Sequence, residues 1–454
     1  MASKAWRSGG IAGGAHTAAK ASWSSVRTER RRPRGATSIA LAALVVLLAA
    51  CGVPAPAVDV RPGTTVWSDL VASVAVEDEV LAVAVGADGE VAFGGATYGD
   101  VGADPNQGGA DGFVALLEAD GSERWRVQIG DVGEDRVADL AVRADGVVVA
   151  VGTIAPSADG GDAFAFAFDG ATGAVLWKLG VITPEADAAV AVVVAPDGTA
   201  FVAGTTRGTV PPAVNAGFRD AFLMRLTPAG VADGYLQFGG PGFDEAVDLV
   251  LLPDGDLVLV GATGDAVPGA TGAGPLFAAR FAPDLAAPPT WVVQAGGTLD
   301  VVAGAAAVDP DGDVVVVGQV SGQVGADPAI DDYDVFVARI AAGGGAPAFV
   351  RQVGTAGSDE AVAVVVDAAG RTWVAGTTTT LAPGGDASEA MLYVFGADDA
   401  LLLEEVVPVG AFAGAQAVAL AADREVGVGG WSAAAAPGDR SGWDGFVVRR
   451  RHAP

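Results

Sequence analysis

The residues in this chain best suited to chemistry are its carboxylates, and five of them recur at one spacing. Asp78, Asp135, Asp187, Asp244 and Asp359 each lie ten residues before a short turn signature, Asp-Gly in four instances and Ala369-Gly370 in the fifth. Asp300 stands one residue out of step, and Ala413 breaks the series. Aspartate oxygens gathered in a ring would suit a hard cation such as Ca²⁺. The same residues suit a plainer task, because loop aspartates accept backbone N–H bonds. Use of the same position in nearly every unit favours loop capping, and the five are carried forward as candidate metal ligands.

Other chemistry is poorly provided for. Only one histidine lies beyond residue 50, His452, and the chain has a single cysteine, Cys51. That inventory argues against a Ser-His-Asp or Cys-His centre, a His-based zinc site and any intrachain disulfide. No G-x-x-x-x-G-K-[ST] phosphate loop occurs. Asp309-Pro310-Asp311-Gly312-Asp313 begins like a calcium loop but lacks the closing acid, and it reads as a turn. Paired carboxylates for glycoside hydrolysis stay open among so many acids. No catalytic residue is assigned, and no cofactor is expected beyond the candidate cation.

The turn signatures belong to a larger repeat. They fall at Asp88-Gly89, Asp145-Gly146, Asp197-Gly198, Asp254-Gly255, Asp311-Gly312, Ala369-Gly370 and Asp423-Arg424. Each is followed after seven residues by a glycine: Gly95, Gly152, Gly204, Gly261, Gly318, Gly376 and Gly430. Successive slots are 52 to 58 residues apart, so one supersecondary unit is copied along the chain. Each copy parses into four short strands. In the second, Val137–Val142 and Val147–Val151 flank the turn, Phe164–Phe168 follows a longer loop, and Val175-Leu176-Trp177 closes the unit.

Four-stranded antiparallel units repeated radially make a β-propeller, whose sheet edges are short and protected. The expected architecture is therefore all-β: a seven-bladed β-propeller over residues 63–452. The last unit lacks a fourth strand after Phe446–Arg451, while Thr64-Thr65-Val66-Trp67 is a fourth strand without a blade. The N-terminal strand is expected to complete the seventh blade, with Val66 and Trp67 beside Phe446 and Val447. The fourth-strand aromatics Trp125, Trp177, Tyr235, Trp291 and Phe349 are expected to wedge between neighbouring sheets.

The pattern resembles the bacterial SBBP repeat family of seven-bladed propellers found in surface and secreted proteins. The resemblance rests on segments such as Asp334-Val335-Phe336-Val337, Gly354-Thr355-Ala356-Gly357-Ser358-Asp359 and Val374-Ala375-Gly376-Thr377. It covers Thr64 to Arg450 and implies a fold, since such families share blades and not active sites. Asp169–Trp177 (DGATGAVLW) is similar to the turn of quinoprotein propellers, in one unit only.

The N-terminus reads as an address. Arg27–Arg34 is basic, and Ile39–Ala50 is a 12-residue apolar run, too short to span a bilayer. It ends in Leu48-Ala49-Ala50-Cys51-Gly52, which resembles the bacterial lipobox with Cys51 as the lipidated residue. The expected organisation is a signal peptide over 1–50, a lipidated Cys and Pro/Ala tether over 51–62, then the propeller. Acyl chains contribute about 0.8 kcal/mol per buried CH₂, so more than one holds a protein firmly to a membrane. Beyond residue 50 the chain carries 18 basic and 54 acidic residues, a net charge near −36 that repels nucleic acid.

These readings converge on a monomeric, extracytoplasmic lipoprotein facing the periplasm or the cell surface, anchored in a membrane. Binding of an envelope protein or glycan is expected on the face carrying the long second-to-third-strand loops, because a scaffold fixes such loops while tolerating their variation. The alternatives are a quinoprotein-like or glycan-processing enzyme and an envelope-assembly lipoprotein.

Overall fold

The computed structural model describes residues 61–453, apart from 72–76, 102–104, 158–159, 182, 210–212, 331, 381–386, 411, 423–424 and 434–442. The expected signal peptide, Cys51, the expected tether through residue 60 and the turn slot Asp423-Arg424 lie outside the described residues.

Seven antiparallel sheets follow one another along the chain. The first blade is Asp78–Val85, Val91–Thr97, Asp111–Leu117 and Glu123–Ile129. The next five begin with Arg136–Val142, Asp187–Val194, Asp244–Leu251, Asp300–Val308 and Ser358–Val366. The seventh pairs Phe412–Ala422, Glu425–Ala433 and Asp444–Arg451 with the N-terminal strand Thr64–Val71 as its outer edge. First strands pack against one another in sequence, and Phe412–Ala422 packs on Asp78–Val85, so the ring is closed. The molecule is a seven-bladed β-propeller. The fourth blade departs from four strands: Ala270–Gly272, from its long loop, adds a short parallel strand beside Trp291–Ala295.

The repeated glycine has a steric cause. Every first strand carries a β-bulge, and the glycine pairs with the residue just before it: Val80 with Gly95, Ala189 with Gly204, Ala415 with Gly430. The bulge drives a first-strand carbonyl toward the second strand. A Cβ at Gly95 would land on the Glu79 carbonyl oxygen, and one at Gly204 on that of Ala188. Only glycine permits the approach, and the bulge bends each inner strand at the axis.

Between blades the core is made of small branched side chains with aromatic plugs. Phe113, Phe222, Phe277 and Phe336 of the third strands are fully buried. The fourth-strand tryptophans act as wedges. Trp125 donates its indole N–H to Gly170 O (2.9 Å), Trp177 to Pro228 O (3.2 Å) and Trp291 to Ala342 O (3.3 Å), each on the next blade's outer turn. Each ring lies on a turn glycine of positive φ, Gly173, Gly230 and Gly344, where a side chain would strike the indole. The quinoprotein-like segment Asp169–Trp177 contains one of these turns, and its Thr172 hydroxyl donates to Asp169 at 2.6 Å.

The N-terminal strand does complete the seventh blade, in a register shifted from the expected one. Trp67 lies opposite Arg449, while Leu70 and Asp69 face Phe446 and Val447. A bulge at Val66 and a strand that runs on to Val71 account for the shift.

Candidate functional site at the long-loop mouth

The five periodic aspartates sit where their spacing placed them, at the start of the inner strands on the long-loop face, and all are buried. The structure does not gather them around one cation. Each serves its own blade: Asp135 Oδ2 accepts the Asp131 N–H (2.6 Å), Asp187 that of Thr183 (2.8 Å), Asp244 that of Gly240 (2.7 Å) and Asp359 that of Thr355 (2.6 Å). The acceptor always lies four residues after the donor, so the carboxylate staples the inter-blade link. Asp78 occupies the same place, its own N–H bonded to Trp443 O at 3.0 Å. Among the described residues no three acids or histidines are arranged to hold a metal. Asp309 Oδ1 accepts the N–H groups of Asp311 and Asp313, so that segment is a turn.

A second set of aspartates repeats the device at the third strands. Asp111, Asp220 and Asp334 accept the N–H groups of Gln107, Ala216 and Ile330. Each also receives a fourth-strand amide, from Gln128, Gln237 and Gln352 at 2.7–2.9 Å. Blade four has Pro275 in place of the acid, and there Gln294 turns to the carbonyls of Asp265 and Gly274. At three junctions the two sets approach each other across a glycine: Asp111 and Asp135 at Gly130, Asp220 and Asp244 at Gly239, Asp334 and Asp359 at Gly354. Burial is the main cause that raises the carboxyl pKa values of Asp111, Asp220 and Asp359, and it pushes Asp135 up to about 6.

Above these staples, over the first three blades, lies a cavity of about 470 Å³. Its blade-one wall carries Glu77, Glu79 and Tyr98, and its blade-two and blade-three walls carry Glu134, Arg136, Arg207 and Arg219. Asp135 and Asp187 also border it. Tyr98 donates its phenolic hydrogen to Glu134 Oε2 at 2.8 Å. Partial burial and that bond push the phenol up to about 12, so it stays a donor at neutral pH. Arg219 is paired with Glu245 and lies 5.2 Å over the Phe243 ring, which in turn stacks on Phe218 at 5.0 Å. Both phenylalanines are exposed. The site thus offers guanidinium donors, carboxylate acceptors and an aromatic face at one mouth.

Sequence reasoning placed a ligand on this face without finding these residues. The residue after each capping aspartate is Glu79, Ala188, Glu245 or Glu360 in four blades and Arg136 in blade two. That break in the repeat was the available signal.

Further along the inner strands, two aspartates depart from the repeat in a similar way. Asp139 and Asp248 follow the bulges of blades two and four, where the other blades carry alanine. Asp139 Oδ2 accepts the Val192 N–H and Asp248 Oδ2 the Ala306 N–H, both at 2.7 Å, tying each blade to the next. Burial pushes their carboxyl groups up to about 7 and about 6.

No family model and no curated protein matches the chain. Among solved structures it is similar to a protein of unknown function from Dyadobacter fermentans, at 12% identity over 86% of this chain and 99% of that one, with a TM-score of 0.47. It is similar also to the β-propeller domain of the Trilobed protease from Pyrococcus furiosus, at 8% identity over 83% and 94%, TM-score 0.46. The PQQ-bound aldose sugar dehydrogenase from Streptomyces coelicolor is similar at 13% identity over 86% and 99%, TM-score 0.40. Likeness at this level concerns the fold.

Proposed function

We propose that this protein is a lipid-anchored, extracytoplasmic binding propeller that takes its ligand, an envelope protein or glycan, in the cavity over blades one to three. The observation that carries the reading is the cavity itself, the place on the long-loop face where charged donors, acceptors and aromatics converge. A concave site with a few polar groups held on rigid strands is the usual form of a ligand pocket. The lipobox-like Leu48–Cys51 supports anchoring, and the SBBP-like repeat supports a surface or secreted role. The candidate acids are spent on backbone N–H groups, which favours binding over catalysis.

Capture from envelope extract tests the binding. The wild-type chain should retain a ligand that the Glu134→Ala/Arg136→Ala variant loses, and equal retention by both would remove the cavity from consideration. Fractionation tests the anchor: Cys51→Ser should move the protein from the membrane to the soluble fraction.

A further inference from the structure

We infer that the ligand of this cavity is a carboxylated sugar, its carboxylate held by Arg136 and Arg207; this rests on the binding role proposed above. The argument begins with charge pairing. Acids outnumber bases three to one beyond residue 50, so a surface arginine finds a carboxylate easily. Among the described residues Arg124, Arg126, Arg143, Arg219, Arg225, Arg280, Arg339, Arg351, Arg371, Arg449, Arg450 and Arg451 all sit in ion pairs. The described arginines outside such pairs are Arg61, at the chain's N-terminal seam, Arg136 and Arg207. The last two, from different blades, line the same cavity.

Their placement is fixed by backbone. Arg136 opens the first strand of blade two, paired with Thr153. Arg207 follows the second strand of blade three, its N–H bonded to Ala186 O at 3.0 Å. A guanidinium presents a planar fork of donors that matches a carboxylate. Two such forks left open, in a chain this acidic, mark where an anionic group docks.

The rest of the mouth limits what else the ligand carries. Glu77 and Glu79 line the blade-one wall and Glu134 lies two residues from Arg136, and carboxylate oxygens accept more than one hydrogen bond, which suits hydroxyl groups. The surrounding negative field disfavours a densely charged polyanion. A single carboxylate set among hydroxyls satisfies both walls. Phe218 and Phe243, exposed beside Arg219, offer a flat apolar surface for the C–H face of a following sugar ring.

Calorimetry on the full-length chain tests the inference with oligosaccharides that carry a single glucuronate or galacturonate among neutral sugars, their neutral methyl esters, and a peptide with a free C-terminus. The acidic sugars should bind, and their methyl esters should bind about tenfold more weakly or worse, as expected for the loss of a charged hydrogen-bonded pair. Arg136→Gln and Arg207→Gln should each weaken the acidic sugar about tenfold and the ester much less, with melting temperature unchanged. Equal binding of acid and ester, preference for the peptide, or binding of none of the probes would overturn the inference. If envelope capture still depends on Glu134 and Arg136 in that event, the binding role stands and only the ligand class fails.

Discussion

Trp67 donates its indole N–H to the carbonyl oxygen of Ala119, 3.2 Å away, across the seam where the first described strand meets the first complete blade. Its ring covers Gly121, as Trp125 covers Gly173 and Trp177 covers Gly230. The N-terminal strand therefore makes the same wedge as the outer strands of true blades. Trp67→Ala should cost about 2 kcal/mol, from lost apolar burial and one hydrogen bond. Denaturant unfolding measures it, and an unchanged midpoint would show that the seam does not limit stability.

The seam has a second fastening. Arg450 is ion-paired with buried Glu405, whose carboxylate also accepts the Gly63 N–H at 3.0 and 3.1 Å. His452 packs edge-on against Trp373 and lies 3.6 Å from the same carboxylate. Glu405→Gln would leave the Arg450 charge buried without its partner, at a cost of about 3–5 kcal/mol. Limited proteolysis near Arg61 should accelerate in this variant, because the strand it frees is the terminal one.

Glycine at the bulge is required by space. Gly204→Ala should cost about 1–3 kcal/mol, since its Cβ meets the Ala188 carbonyl and the Phe222 ring. Gly343→Ala has nothing within 4 Å and should change stability by about 0.5 kcal/mol at most. Similar melting temperatures for the two variants would refute the steric account of the repeat.

Stability should fall as pH rises from about 4 to about 7. Asp135, Asp139 and Asp248 have carboxyl groups raised to about 6, 7 and 6 by burial, so the folded chain binds their protons more tightly than the unfolded one. Their contribution is fully present below the ordinary carboxylate pKa and is lost as pH climbs through the raised values. His452 acts in the opposite sense: burial lowers its pKa, so its contribution is present above the ordinary histidine value and is lost on acidification. Melting curves between pH 4 and 8 should show a downward slope that flattens in Asp139→Asn. An identical slope in the variant would exclude Asp139 as its source.

Much of the architecture was legible because the repeat writes local rules many times over. The Asp-Gly turns, the glycine after seven residues and the alternation of branched side chains all act within one hairpin. The unpaired outer strand at one terminus and the vacant slot at the other made closure readable too. The strand register was less readable, because the bulge at Val66 adds one residue to the strand without a turn or glycine signature to announce it. The periodic aspartates were visible as a set, yet whether they faced a shared cation or separate loops depended on where each chain link folds back. The fourth-blade strand Ala270–Gly272 follows from the course of one loop and left no mark in the pattern.

From sequence alone came the seven units, their strand order and the face bearing the long loops, since these follow from short-range backbone preferences repeated at a fixed period. Only the tertiary structure could bring Tyr98 to Glu134 and set Arg136 and Arg207 at one mouth. Those residues belong to three consecutive blades, and their meeting is a consequence of how neighbouring blades pack side by side around the axis, which no spacing along the chain encodes.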